Sequence, residues 1–240
     1  MKLLERDIEQ IIKSVAEEVY QKLQAQGGAA PMAAAPVAAG NGCHKILARM
    51  NPSMKIDDVK AACEDAKRAG VCALCIPQWF VDYACGQLKG TNIKVATVVG
   101  LPQGTTSTFA KYAEVKLAVQ AGATEIIIPI NMTMAAAGDW DGVRKDLADS
   151  MTLCDQKAGA YALIEVDSLS CDQIEKAAET AASCGVEGVL ISAVVGGQVT
   201  EAQVAAAKKK AVTGVFGGVN ANNAASFISA GATCLAGSAI

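Results

Sequence analysis

IKVATVVG (93–100), FAKYAEVKLAVQAG (109–122) and TEIIIPI (124–130) follow one another as apolar run, helical stretch and apolar run. The two runs are short and rich in β-branched residues, as buried strands are. The stretch between them is built from good helix formers and stops at Gly122, the usual C-terminal punctuation of a helix. Strand, helix, strand in this order is a parallel βα unit.

Outward from this unit the pattern repeats. Further strand candidates are KILARM (45–50), VCALCI (71–76), YALIEV (161–166), EGVLIS (187–192), TGVF (213–216) and TCLAG (233–237). Helical stretches such as DVKAACEDAKRAG (58–70) and SCDQIEKAAETAASCG (170–185) separate them and also end in glycine. Eight strands alternating with helices predict an α/β fold, a closed (β/α)8 TIM barrel over residues 43–240. The alternative, an open doubly wound sheet, lacks a GxGxxG after its first strand. The last strand candidate ends close to Ile240. The expectation is therefore that the customary final helix is missing, leaving an apolar groove for another subunit or the N-terminal helix.

The barrel is preceded by two segments of different character. In LLERDIEQIIKSVAEEVYQKL (3–23), Leu4, Ile8, Ile11, Ile12, Val15, Val19 and Leu23 recur at helical spacing. Residues 1–23 are read as an amphipathic targeting or interaction helix. QAQGGAAPMAAAPVAAGNG (24–42) is Ala, Gly and Pro with almost no charge, and Pro31 and Pro36 forbid a continuous helix. It reads as a flexible linker. A tethered amphipathic helix is suited to docking in a groove. The arrangement resembles the encapsulation peptides that carry enzymes into bacterial microcompartments, which implies a shell or cargo protein as partner through residues 3–23. A short coiled coil mediating homo-oligomerisation is the alternative.

Composition narrows the function classes. A net charge of −3 gives no basic footprint for nucleic acid. No run reaches the roughly 18 apolar residues of a membrane span, and the N-terminus has no secretory signal. Nine cysteines without paired spacing read as reduced residues of a cytoplasmic protein. Cys72 and Cys75 form a CxxC inside an apolar run and are read as structural. The single histidine, His44, has no second histidine to share a metal and is read as a surface or boundary residue. Neither a metal nor a cofactor is expected.

Over residues 45–240 the chain resembles the deoxyribose-phosphate aldolase family. IKVATVVGLPQG (93–104) is close to a family segment of the form VKVATVIGFPLG, and AKYAEVKLAVQAGATEI (110–126) continues in register. LCIPQWFVDYA (74–84) resembles the second strand and helix, and AGATCLAGSAI (230–240) the terminal strand with its phosphate-contacting Gly-Ser turn. The resemblance implies a retro-aldol lyase that cleaves a small phosphorylated sugar to an aldehyde and a triose phosphate. In that family a strand-six lysine forms the Schiff base, a strand-seven lysine lowers its pKa and a strand-four aspartate assists proton transfer. Here those positions correspond to Leu190, about Phe216, and Ile127. A leucine cannot form an imine. Lys45 and Lys94 fall at strand starts, and Lys111, Lys116, Lys145, Lys157, Lys176 and Lys208 to Lys210 in helical stretches, away from the C-terminal strand ends where barrel chemistry sits.

Binding features persist. Gly196, Gly197, Gly217, Gly218, Gly237 and Ser238 follow strands six, seven and eight, where glycines let backbone N–H groups approach a phosphate. They equally suit plain turns. No lysine or arginine is expected near these loops to balance the charge. Gln78, Gln103, Asn131, Glu165, Asp167, Ser192, Asn220 and Asn222 are polar groups at strand ends. Glu165, which matches a family glutamate, and Asp167 are the candidates for a catalytic base, each also explicable as structure. Three readings follow: an aldolase-like lyase on a phosphorylated sugar or aldehyde; a non-catalytic sugar-phosphate-binding or scaffolding barrel; and a different lyase or isomerase using a strand-five carboxylate. A homo-oligomer is expected, in the cytoplasm or the lumen of a microcompartment.

Overall fold

The computed structural model describes residues 43–101, 103–154, 157–193 and 197–238. The amphipathic helix and linker expected over residues 1–42 lie outside the described residues, as does Gly196. The described residues form a closed barrel of eight parallel strands, each hydrogen-bonded to its neighbours in sequence and the last to the first. The strands are β1 (His44–Ala48), β2 (Ala73–Cys75), β3 (Lys94–Val98), β4 (Glu125–Pro129), β5 (Gly159–Glu165), β6 (Gly188–Ser192), β7 (Thr213–Phe216) and β8 (Cys234–Gly237). Around them run α1 (Ile56–Ala69), α2 (Val81–Gln87), α3 (Thr108–Gln120), α4 (Met132–Ala136), α5 (Trp140–Met151), α6 (Cys171–Ser183), α7 (Glu201–Lys208) and α8 (Ala224–Ala230). A 3-10 turn over Gln78–Phe80 leads into α2.

Local chemistry sets these boundaries. The Ser107 hydroxyl accepts from the Ala110 N–H at the start of α3. Ser170 with Gln173, and Thr200 with Gln203, form reciprocal capping boxes on α6 and α7. Gly70 ends α1 in the left-handed conformation at φ 60°, where its N–H reaches the last carbonyls.

Alternation along each strand divides the core in two. Ile126, Ile128 and Ile130 face the helices, while Ile127 faces the barrel axis. The axis is filled by Ile46, Ala73, Cys75, Ala96, Val98, Ile127, Tyr161, Leu163, Leu190, Cys234 and Ala236. The barrel is thus a packed core with two distinct ends, a floor at the strand N-termini and a mouth at the strand C-termini. Cys75 belongs to this interior, whereas Cys72 is exposed, so the CxxC does not present both thiols to one site.

Candidate functional site

The mouth is built on an apolar layer. Leu163, Leu190 and Gly214 are lateral neighbours on β5, β6 and β7. Leu190 and Ile127 are wholly buried. A Cβ on Gly214 would lie 2.8 Å from Leu190 Cδ2 and 2.6 Å from Cys234 Cβ. The Leu190 side chain therefore occupies the space over Gly214, where a side chain would not fit. Phe216 is half-buried at the open end of the interior and packs against the interior cluster, as Ala48 and Met50 do.

Above this layer sit two buried polar residues. Glu165 ends β5 and Ser192 ends β6, and they are paired in register. Both are buried, and the Ser192 hydroxyl has no hydrogen-bond partner among the described residues. Asp167 lies two residues beyond Glu165, exposed, with its carboxylate against Gly197, so the loops after β5 and β6 touch there.

The remaining polar strand-end residues divide between structure and open loop. Asn131 caps α4, accepting from the N–H groups of Thr133 and Met134 at 3.1 and 3.3 Å. Gln78 turns outward and donates to the Glu114 carbonyl at 2.9 Å. The Gln103 carbonyl accepts from the Met132 N–H. Asn220 and Asn222 are exposed and tied to each other in the β7–α8 loop.

Of the predicted phosphate-binding set, Gly217 and Gly218 lie in adjacent left-handed conformations, φ 82° and 65°, with open space where a Cβ would project. The Gly217 N–H already donates to the Ala236 carbonyl, and the Asn223 amide holds the Gly218 carbonyl at 2.8 Å. Gly237 ends β8 and is buried, and Ser238 is exposed beyond it. Gly197, with Asp167 against it, sits in a position where a carboxylate would oppose an anion.

Two basic residues lie on this face, and one of them, Arg49, stands near the glycine loops where no cation was expected. Arg49 follows β1, donates to the Ser238 carbonyl, and lies 3.4 Å from the Asp65 carboxylate. A cation therefore does stand beside the β8 turn. Its position follows from closure of the barrel, which pairs Leu47 with Gly237. Lys55, the residue before α1, is exposed in the loop after β1, on the mouth side but outside the interior.

Lys111 lies in a helix, α3, as expected, and is also buried. It forms an ion pair with Asp146 of α5 and reaches the Pro129 carbonyl at the end of β4 at 3.4 Å. Asp146 also accepts from the Thr108 hydroxyl at 2.7 Å. The amine lies between helices and barrel wall, outside the mouth.

At the floor the polarity reverses. Glu125, fully buried at the start of β4, lies 3.0 Å from Lys94 Nζ and 3.3 Å from His44 Nε2. Burial opposes the charge on Lys94, but the Glu125 carboxylate outweighs it and raises the pKa. His44 stacks on Tyr161 with ring centroids 6.2 Å apart. Burial, then the Glu125 and Glu187 carboxylates, push the Tyr161 phenol well above its ordinary range. His44 is thus a boundary residue, as expected, that also pairs with Glu125. A cavity of about 570 Å³ opens at this end, lined in part by His44, Cys72, Lys94 and Tyr161.

The family model for DeoC/LacD family aldolases matches residues 41–168. A deoxyribose-phosphate aldolase of Aciduliprofundum boonei is 35% identical over 184 residues, 74% of this chain and 83% of that protein. One from Caldanaerobacter subterraneus is 32% identical over 145 residues, 60% of this chain, and the chain spans 63% of that protein's length. A crystal structure from Coccidioides immitis, described as a putative deoxyribose-phosphate aldolase, superposes with a TM-score of 0.75 at 23% identity, covering 83% of this chain and 82% of that one. The chain belongs to the DeoC/LacD aldolase family.

Proposed function

We propose that this member of the DeoC/LacD aldolase family binds a small phosphorylated sugar or aldehyde at the mouth of its barrel without forming a lysine imine. The observation that carries this reading is the closed layer of Ile127, Leu163, Leu190 and Gly214, where the family resemblance places the reacting amine and its partners. An imine needs a neutral amine beside the bound carbonyl. The lysines of the described residues are at the floor, along helices, behind the wall (Lys111) or in the open loop (Lys55). For the phosphate, the Gly218 N–H beside the open left-handed Gly217, the Gly237-Ser238 turn and the Arg49 guanidinium supply backbone donors and one cation, the Gly217 N–H being held by the Ala236 carbonyl. Gly197 fits this role less well, since Asp167 lies against it.

Calorimetric titration tests this reading. A phosphorylated sugar is expected to bind and its unphosphorylated form to bind much more weakly. Arg49→Gln should weaken only the phosphorylated ligand, by roughly tenfold, the effect of losing one hydrogen bond to a charged group. Equal binding of both sugars, or no binding of either, would contradict the proposal.

A second reading rests on Glu165 and Ser192, a carboxylate and a hydroxyl side by side in a buried mouth. Such a pair can hold or move a substrate proton, so a lyase or isomerase using Glu165 is the alternative. Turnover abolished by Glu165→Gln with ligand binding retained would favour it. For residues 1–42 we propose a targeting helix and tether leading into a microcompartment lumen, supported by the apolar stripe of residues 3–23 and the Ala/Gly/Pro linker. Residues 1–42 fused to a fluorescent protein should form foci in a host that builds such shells. Ile8→Glu with Ile12→Glu should leave it diffuse, and foci that survive these charges would count against the targeting role.

A further inference from the structure

Ser192 closes β6 and faces the barrel interior. Leu190, two residues before it, belongs to the interior cluster, while Val189 and Ile191 pack toward the helices. Ser192 is 1% exposed, yet its hydroxyl has no hydrogen-bond partner among the described residues. A polar group buried in this way is costly to the fold, and such groups are rare. Leu163 and Leu190 lie one layer below it, so a partner reaches the hydroxyl from the mouth side. The orphaned hydroxyl therefore marks the inner end of what the mouth binds.

Its surroundings narrow the chemistry. Glu165 is its lateral neighbour on β5, and alternation from Leu163 puts the Glu165 side chain on the same interior face. A carboxylate only accepts hydrogen bonds, whereas a hydroxyl donates and accepts. A ligand alcohol can accept from Ser192 and still offer its own proton. A ligand carbonyl only accepts, and it would stand as a second acceptor beside the Glu165 carboxylate. The Arg49 guanidinium does not reach this layer to polarise a carbonyl. It is tied to the β8 turn, two strands away and roughly 10 Å off at about 4.8 Å per strand. Leu190, Phe216 and Ala236 line the way between, apolar walls that suit bare carbon.

We propose that Ser192 selects a ligand whose inner end is an alcohol: a phosphate monoester of a short carbon chain, with a hydroxyl where a carbonyl substrate would present its carbonyl. This rests on the reading of the mouth as a site for a phosphorylated ligand, with the phosphate at the β7 and β8 loops.

Three phosphate monoesters of one five-carbon chain test it, by calorimetry on the full chain. They are pentyl phosphate, the ester with a hydroxyl on the carbon next to the terminal methyl, and the ester with a ketone at that carbon. The hydroxy ester should bind about tenfold more tightly than pentyl phosphate, and the keto ester several-fold more weakly than the hydroxy ester. Ser192→Ala should erase these preferences. Arg49→Gln should weaken all three alike, since it reads the phosphate they share. The ligand-free Ser192→Ala protein should unfold at the same or a higher temperature, because the change removes an unpaired polar group. A hydroxyl that served only the fold would lower it. Esters that bind alike to the wild type, a ketone preferred over the alcohol, preferences that survive Ser192→Ala, or a Ser192→Ala protein that loses stability would each overturn the proposal while leaving the phosphate site in place. No binding by any of the three would contradict the phosphate site itself, and this proposal with it.

Discussion

The two ends of the barrel are furnished in opposite ways. At the floor, Glu125, Lys94, His44 and Tyr161 form a compact set of titratable groups, the carboxylate fully buried between two bases. At the mouth, the interior rests on Ile127, Leu163 and Leu190, and the buried polar groups above it are Glu165 and Ser192. In catalytic barrels the conserved chemistry belongs at the C-terminal end and the opposite end serves stability. The charges at the floor therefore lie where they hold the fold. Lys111 and Asp146 extend the same lesson, as an amine close to a strand end that serves as a strut between α3, α5 and β4.

The sharpest way to break this contrast is to place an amine in the mouth. Leu190→Lys puts an ammonium into a filled apolar layer, between Leu163 and Gly214. Overpacking and an unpaired charge should together cost more than about 4 kcal/mol, read as a fall in the urea midpoint. Any lysine that survives there should titrate below its ordinary range and restore little aldol activity, since burial alone does not orient it. Lys111→Met comes next. It strands Asp146, which is almost wholly buried, and should cost about 3–5 kcal/mol. Ligand binding at the mouth should survive it.

Lys94→Met at the floor should cost less, about 1–2 kcal/mol, because Lys94 is about one-third exposed and His44 still faces Glu125. The smallest effect is in pH. The folded state holds the Tyr161 and Lys94 protons more tightly than the unfolded chain does, since both pKa values are raised. Their contribution is therefore complete below the unfolded values near pH 10 and is lost as pH rises beyond them. Thermal unfolding followed between neutral and alkaline pH should show this decline. Tyr161→Phe should make it shallower.

Much of this architecture was legible in the residues. Each strand candidate lies within two residues of an observed strand at both ends, because apolar runs bounded by glycine leave little freedom of assignment. Gly70, Gly122 and Gly185 all adopt positive φ after helices, as the punctuation implied. Leu190 and Ile127 face the interior, as alternation along β6 and β4 requires. The rest depends on contacts between distant segments. Arg49 reaches Ser238 only because β1 closes on β8. Asn131 and Gln78 are polar at strand ends, but one caps α4 and the other binds α3, a choice set by local hydrogen bonding that spacing does not encode. The role of His44 had one available signal, the acidic Glu125 beginning an otherwise apolar run, since a buried carboxylate demands a partner.

Whether any amine of this chain attacks a carbonyl substrate separates an imine-forming mouth from one that only binds. The direct measurement is to incubate the full chain with acetaldehyde and borohydride and to read intact mass and peptide maps. No stable adduct above that of a denatured control is expected, since Leu190 stands at the position that corresponds, by resemblance, to the family's Schiff-base lysine. A stoichiometric adduct mapped to one lysine, with Lys55 in the mouth-side loop the first to inspect, would contradict that expectation.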